Sequence, residues 1–245
     1  MRTEGIDPQR FVFVQGGDLP ILLAAPHGGW LAVPGVPVRR TGTTVTDAKT
    51  FELTESLASG LENLLGGRPY VVADKFRRKH LDVNRPGNAA FEDPSARPLY
   101  DFYHGHMKQF VEELRRRYPG GALLLDIHGQ SQDPTTVHRG TRDGTTVKRL
   151  IEKHGSAALA GPNSVFGALQ ARGDNVFPPN TPPGDLPEDR RFNGKHTVIT
   201  YGSNNRDGVD AIQLEIGIRL REDASFAQRL VEAVRLFCQI YLADS

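Results

Sequence analysis

The fold is constrained most by short runs in which almost every residue is apolar. ILLAA (21–25), YVVA (70–73) and ALLLDI (122–127), polar only at Asp126, lie between Gly, Pro and Asp residues of the kind that end strands. A strand turns successive side chains to opposite faces, so one that is apolar throughout needs cover on both. A one-sided antiparallel sheet does not offer that. Between these runs the apolar residues recur at helical spacing. One set is Ala48, Phe51, Ala58, Leu61 and Leu65, and another is Tyr100, Tyr103, Met107, Phe110, Val111 and Leu114. Phe226, Leu230, Ala233, Phe237, Ile240 and Tyr241 form a third. FVFV (11–14), HTVITY (196–201) and AIQLEI (211–216) read as further strands, and Lys148–Lys153 and Val165–Arg172 as short helices. The alternation predicts a single α/β domain over residues 1–245, with a mixed, mostly parallel central sheet and helices on both faces.

Charge narrows the range of partners. Lys and Arg total 30 against 29 Asp and Glu, so no broad field is available to hold nucleic acid or an anionic membrane. Arg115-Arg116-Arg117 closes a predicted helix, where cations complement the C-terminal dipole. One cysteine, Cys238, excludes an intramolecular disulfide framework and a cysteine-rich zinc site. The opening MRTEGIDPQR has no apolar signal-type core, and no segment approaches the length of a membrane span. The expectation is a cytoplasmic protein acting on a small molecule. The stretch 173–194 is rich in Pro and Gly and too long for a simple connector, so it is expected to be functional or mobile.

Four stretches carry candidate chemistry. ILLAAPHGGW and LLLDIHGQ are built alike: an apolar strand runs into a histidine, His27 or His128, and then glycine. In an open α/β sheet the ligand crevice lies beyond the carboxyl ends of the strands, where two such imidazoles can meet. Two histidines, one carboxylate and an open position make a catalytic zinc set. Candidate carboxylates are Asp47, Glu52 and Glu55, although Asp47 also suits a helix N-cap, and a lone strand-end histidine is commonly structural. RRKHLDVNRP (77–86) gathers Arg77, Arg78, Asn84 and Arg85, suited to a substrate carboxylate or an oxyanion; the alternative is pairing with Asp82 or Asp74. In AIQLEI, Gln213 and Glu215 face away from Ile212, Leu214 and Ile216. A Glu within such a run is either a base of raised pKa or the partner of Arg219 or Arg221.

APHGG, TDAKTFEL, RRKHLDVNRP, YDFYH, LLLDIHGQ, FNGKHTVITYG and AIQLEI stand in an order and spacing that resembles the N-formylglutamate amidohydrolase family, among the zinc carboxypeptidase-like amidohydrolases. The resemblance spans most of the chain and implies a phosphorylase/hydrolase-like α/β fold. It implies Zn2+ on His27 and His128, with Asp47 preferred to Glu52 as the carboxylate ligand. It further implies Glu215 as general acid/base, Arg78 as oxyanion stabiliser, and Asn84 and Arg85 as receptors of a substrate carboxylate. The implied activity is hydrolysis of the amide bond of an N-formyl or N-acyl amino acid. There are departures: Arg77, Lys79 and His80 stand where the family carries Ser or apolar residues, and Gly129 stands where it carries Ser. Trp30 occupies the place of the carboxylate that true carboxypeptidases have three residues after the first histidine, which favours a deacylase. A carboxypeptidase or peptidoglycan-type amidase is the alternative, to be recognised by a groove running past the metal. A non-catalytic binding protein on the same scaffold is a more distant one.

Overall fold

The computed structural model describes residues 6–180 and 187–242. Residues 181–186 of the long Pro/Gly stretch, and the first five residues of the opening segment, lie outside the described residues. The strands are β1 (Val12–Gln15), β2 (Ile21–Ala25), β3 (Tyr70–Asp74), β4 (Leu123–Gln130), β5 (Thr136–Gly140), β6 (Asn175–Phe177) and β7 (Asp210–Gly217). They form one sheet in the order β1-β3-β2-β4-β7-β5-β6. β3, β2, β4 and β7 run parallel, β1 and β5 pair antiparallel with their inner neighbours, and β6 runs parallel to β5. The mixed, mostly parallel sheet is as expected.

Helices cover both faces. The longer ones are α1 (Thr50–Leu65), α2 (Arg97–Arg117), α3 (Lys148–His154), α4 (Val165–Gln170), α5 (His196–Tyr201) and α6 (Phe226–Tyr241). Strand alternation divides the core. Leu23, Leu125, Ile127, Ile212, Leu214 and Ile216 pack with residues of α1, α4 and α6. Leu22, Ala24, Val72, Leu124 and Ala211 pack instead with Tyr103, Met107, Phe110 and Leu114 of α2. Asp126 and His128 alternate with Leu125 and Ile127, so they lie on the α2 face, at the carboxyl end of the parallel strands. Cys238 is buried in the α6 face, as its neighbours indicate.

HTVITY is a correction: these residues form the helix α5, not a strand. Their β-branched composition favours a strand, but β7 is already flanked by β4 and β5, which leaves it no free edge. Asn84 Oδ1 meanwhile accepts hydrogen bonds from the Thr197 N–H (2.8 Å) and hydroxyl (3.0 Å), satisfying the first helical turn. In the region expected to be irregular, β5 and β6 are additional strands. TVHRG shows no apolar run, and its partner β7 supplies the pairing that its composition does not announce.

Candidate metal centre

His27 follows the end of β2 by two residues, and the glycines after it make its placement feasible. A Cβ at Gly28 would lie 2.5 Å from the Phe51 amide nitrogen of α1, and one at Gly29 would collide with the Lys75 backbone beyond β3. The chain therefore leaves the sheet pressed between its neighbours, with the imidazole turned toward β4. Gly129 lies under the Arg221 guanidinium, which would have to shift to admit the Ser of the family pattern.

Three ligating atoms converge. His27 Nδ1 lies 3.2 Å from His128 Nδ1, and Asp47 Oδ2 lies 3.5 Å and 3.4 Å from those two nitrogens. Atoms bound to one tetrahedral zinc at about 2.0–2.1 Å are separated by roughly 3.4 Å. The donor chemistry agrees. His27 Nε2 is 2.7 Å from Asp82 Oδ1, and His128 Nε2 is 2.9 Å from Asp126 Oδ2. A carboxylate at Nε2 places the proton there and leaves the Nδ1 lone pair free, the arrangement that orients metal-binding imidazoles. Two lone pairs and a carboxylate oxygen facing one point repel unless a proton or a metal ion stands between them. The residues present therefore fit a zinc ion.

Charge at the site follows the same logic. Burial disfavours a charged Asp47, yet His128 and His27 outweigh it and hold that carboxyl well below its ordinary value. Burial likewise opposes a charged His128, but Asp126, Asp47 and Glu215 raise its pKa well above the usual imidazole range. Asp47 is not the N-cap: α1 begins after Lys49, and the Asp47 carboxylate accepts from the Gly129 N–H at 3.0 Å. Glu52 and Glu55 are exposed, with Glu52 beside Lys49 at 3.9 Å, so Asp47 alone of the three acids reaches the histidines.

Glu215 stands across from His128 in the register of β7 on β4. Gln213 Nε2 donates to its Oε1 at 2.9 Å. Burial pushes the Glu215 pKa up to about 7; His128 opposes this, and Asp47 and Asp126 add to it. Neither proposed arginine partner takes it. Arg219 pairs with Glu222, and Arg221 donates to the carbonyls of Ile216, Gln130 and Ala48.

The other arginines converge on Asp82, which is fully buried. Arg78 Nε and Arg85 Nε each donate to Asp82 Oδ2 at 3.0 Å, Arg39 lies 3.7 Å away, and Arg78 also lies 3.5 Å from Asp47 Oδ1. Arg77 donates to the Trp30 carbonyl instead. Arg78, Asn84 and Glu215 line a cleft of about 560 Å³ with the three ligand residues, whereas Arg85 does not. Asn84 is held by Thr197, and its Nδ2 sits 3.1 Å from His128 Nε2. The pairing of Arg78 and Arg85 with Asp82 is the alternative the sequence left open, but two further roles were not read from it. Asp82 is the carboxylate that orients His27, and a lone acid between the buried Leu81 and Val83 was its signal. Lys195 lines the cleft and has no ion-pair partner among the described residues; nothing in its neighbourhood marks it.

No family model matches the chain, and no curated protein sequence does. Solved structures do. An N-formylglutamate amidohydrolase from Ralstonia eutropha JMP134 superimposes with a TM-score of 0.64 at 16% identity, covering 94% of this chain and 97% of that one. A gene product of Agrobacterium tumefaciens matches with a TM-score of 0.59 at 12% identity, over 94% and 92% of the two chains. The likeness inferred from the seven motifs therefore extends to the backbone: this protein has the fold of N-formylglutamate amidohydrolase.

Proposed function

We propose that the protein is a zinc-dependent amidohydrolase that cleaves the amide of a small N-formyl or N-acyl amino acid bearing a free carboxylate. The observation that carries this reading is the convergence of His27, Asp47 and His128, with Glu215 in the adjoining strand register. The shared fold with a protein named for amide hydrolysis supports the reaction class.

Zinc, when bound by His27, Asp47 and His128, would supply Lewis acidity toward the scissile carbonyl and its attacking water. Glu215 takes the water's proton and returns it to the leaving amine; a carboxyl with a pKa near the working pH suits both transfers. Arg78, at the cleft wall, donates to the oxyanion as it develops. Asn84 and Arg85 were the expected receptors of the substrate carboxylate. Asn84 gives its Oδ1 to Thr197 and keeps its Nδ2 donor at the cleft, whereas Arg85 gives its Nε to Asp82 and does not line the cleft. We assign the carboxylate contact to Lys195 together with Asn84, and Arg85 holds the site's framework. A cleft of about 560 Å³ has room for a small acyl amino acid.

Purified protein reconstituted with Zn2+ should release amine from a panel of N-formyl and N-acyl amino acids, and chelation should abolish that release. Turnover that survives metal removal, or cleavage confined to polymeric peptide substrates, would overturn the proposal.

A further inference from the structure

A second cluster of ligating side chains lies beyond Glu215. β5 pairs with β7 so that His138 stands across from Glu215, which itself stands across from His128; the three lie in one row on one face of the sheet. Asp133, on the turn before β5, and Asp189 complete a group whose ligand atoms all lie within 4.8 Å of one another. His138 is only 3% exposed, yet neither of its ring nitrogens makes a hydrogen bond. Its Nε2 is 2.9 Å from Asp133 Oδ2, but off the axis along which an N–H would donate. That is the relation of two neighbouring ligands rather than of donor and acceptor. Ligands at right angles on an ion with bonds of about 2.0–2.1 Å are roughly 2.9 Å apart.

The backbones that carry these side chains are anchored. The Asp133 N–H donates to Gln130 Oε1 at 2.8 Å, and its carbonyl accepts from Gln130 Nε2 at 2.7 Å. Glu188, next to Asp189, is held by Arg139 Nε at 3.0 Å and by the N–H groups of Thr141 and Asp143 at 2.7 and 3.1 Å. The half-exposed Arg191 reaches both Asp133 and Asp189. With a neutral imidazole, two carboxylates and one guanidinium leave a net charge of about −1, and a divalent ion that displaced the guanidinium would bring the group to neutrality.

We propose that Asp133, His138 and Asp189 form a second divalent-cation site, suited by its one imidazole and two carboxylates to Zn2+, Mn2+ or Co2+, and that the ion competes with Arg191 for the two carboxylates. The site ties the turn after β4 to the segment that carries Phe192 and Lys195 into the cleft. It does not depend on the proposed activity.

Co2+ binding followed by calorimetry and visible absorption tests it. Wild-type protein is expected to take two ions per chain, His27→Ala one, and His27→Ala/His138→Ala none. Asp189→Asn in the His27→Ala background should lose the remaining ion with little change in circular dichroism, which separates ligand loss from misfolding. Arg191→Ala in that background should bind Co2+ about fivefold more tightly, the worth of one exposed ion pair. The proposal is overturned if His27→Ala binds no Co2+, if the ion persists without His138, or if Arg191→Ala leaves the affinity unchanged. A wild-type protein that takes a single ion, lost in His138→Ala but kept in His27→Ala, would sink the first centre and leave the second standing.

Discussion

Asp82→Asn tests how the primary centre is built. The Asp82 carboxylate meets His27 Nε2 at 2.7 Å, Arg78 Nε and Arg85 Nε at 3.0 Å, and the Asn84 N–H at 3.1 Å. The amide keeps the shape but removes the negative charge and turns an NH2 toward groups that are themselves donors. Removing one partner of a buried ionic cluster costs roughly 3–5 kcal/mol. At roughly 2–4 °C per kcal/mol for a chain of this length, Tm should fall by roughly 6–20 °C. Loss of a carboxylate that orients a metal-binding imidazole weakens metal by about 10–100-fold. Asp126→Asn is the control. Asp126 orients His128 at 2.9 Å and, among the described residues, has no arginine partner and carries a buried Oδ1 with no hydrogen bond. It should weaken metal to a similar degree with a much smaller fall in Tm. Differential scanning calorimetry and competitive chelator titration read the two quantities separately. Burial opposes the charged form of Asp82, but His27 and the arginines outweigh it and depress its pKa. Its stabilising effect is therefore complete above the unfolded value of about 3.9 and is lost as pH falls through the folded one. The Tm gap between wild type and variant should close only in acid. Wild-type metal affinity in Asp82→Asn, or equal Tm losses in the two variants, would refute the reasoning.

Glu215→Gln should keep Zn2+ and Tm while kcat falls by about 100- to 10,000-fold, as measured by amine release; full turnover would remove Glu215 from the reaction. Lys195→Ala should raise KM about tenfold for acidic substrates, as loss of a solvent-exposed charge-assisted contact does, and leave that for neutral amides unchanged. Arg85→Ala should lower Tm with little change in KM; the opposite pattern would return the carboxylate to Arg85. Asp74 is buried, and although the Gly29 N–H stabilises its anion, burial and the charges of Asp47 and Asp82 raise its pKa well above the usual value. Its neutral form matches the fold below the unfolded pKa, and that stability is lost as pH rises through the folded one. Asp74→Asn should therefore melt with wild type near pH 4 and at a progressively higher temperature toward pH 8; a constant difference across that range would contradict the assignment.

The apolar runs at β2, β3 and β4 and the helical periodicity of α1, α2 and α6 determined the layered α/β class, because burial on both faces and a one-sided apolar stripe are local properties of composition. Strands β2, β4 and β7 announced His27, His128 and Glu215, since a polar side chain at the end of, or inside, an apolar run is costly without a role. Whether these were ligands or buried structural residues was not a local question. The parallel pairing of β2, β4 and β7 brought them to one end of the sheet, and the distances of 3.2–3.5 Å among His27, Asp47 and His128 exist only in that register. Which of Arg78, Arg85 and Lys195 faces the cleft belongs wholly to tertiary structure: Asp82 holds both arginines at 3.0 Å, yet of the three only Arg78 and Lys195 line the cleft. HTVITY shows the limit from the other side. Its β-branched residues favour a strand, but a sheet with no free edge at β7, together with an Asn84 side chain from a distant loop, made it a helix.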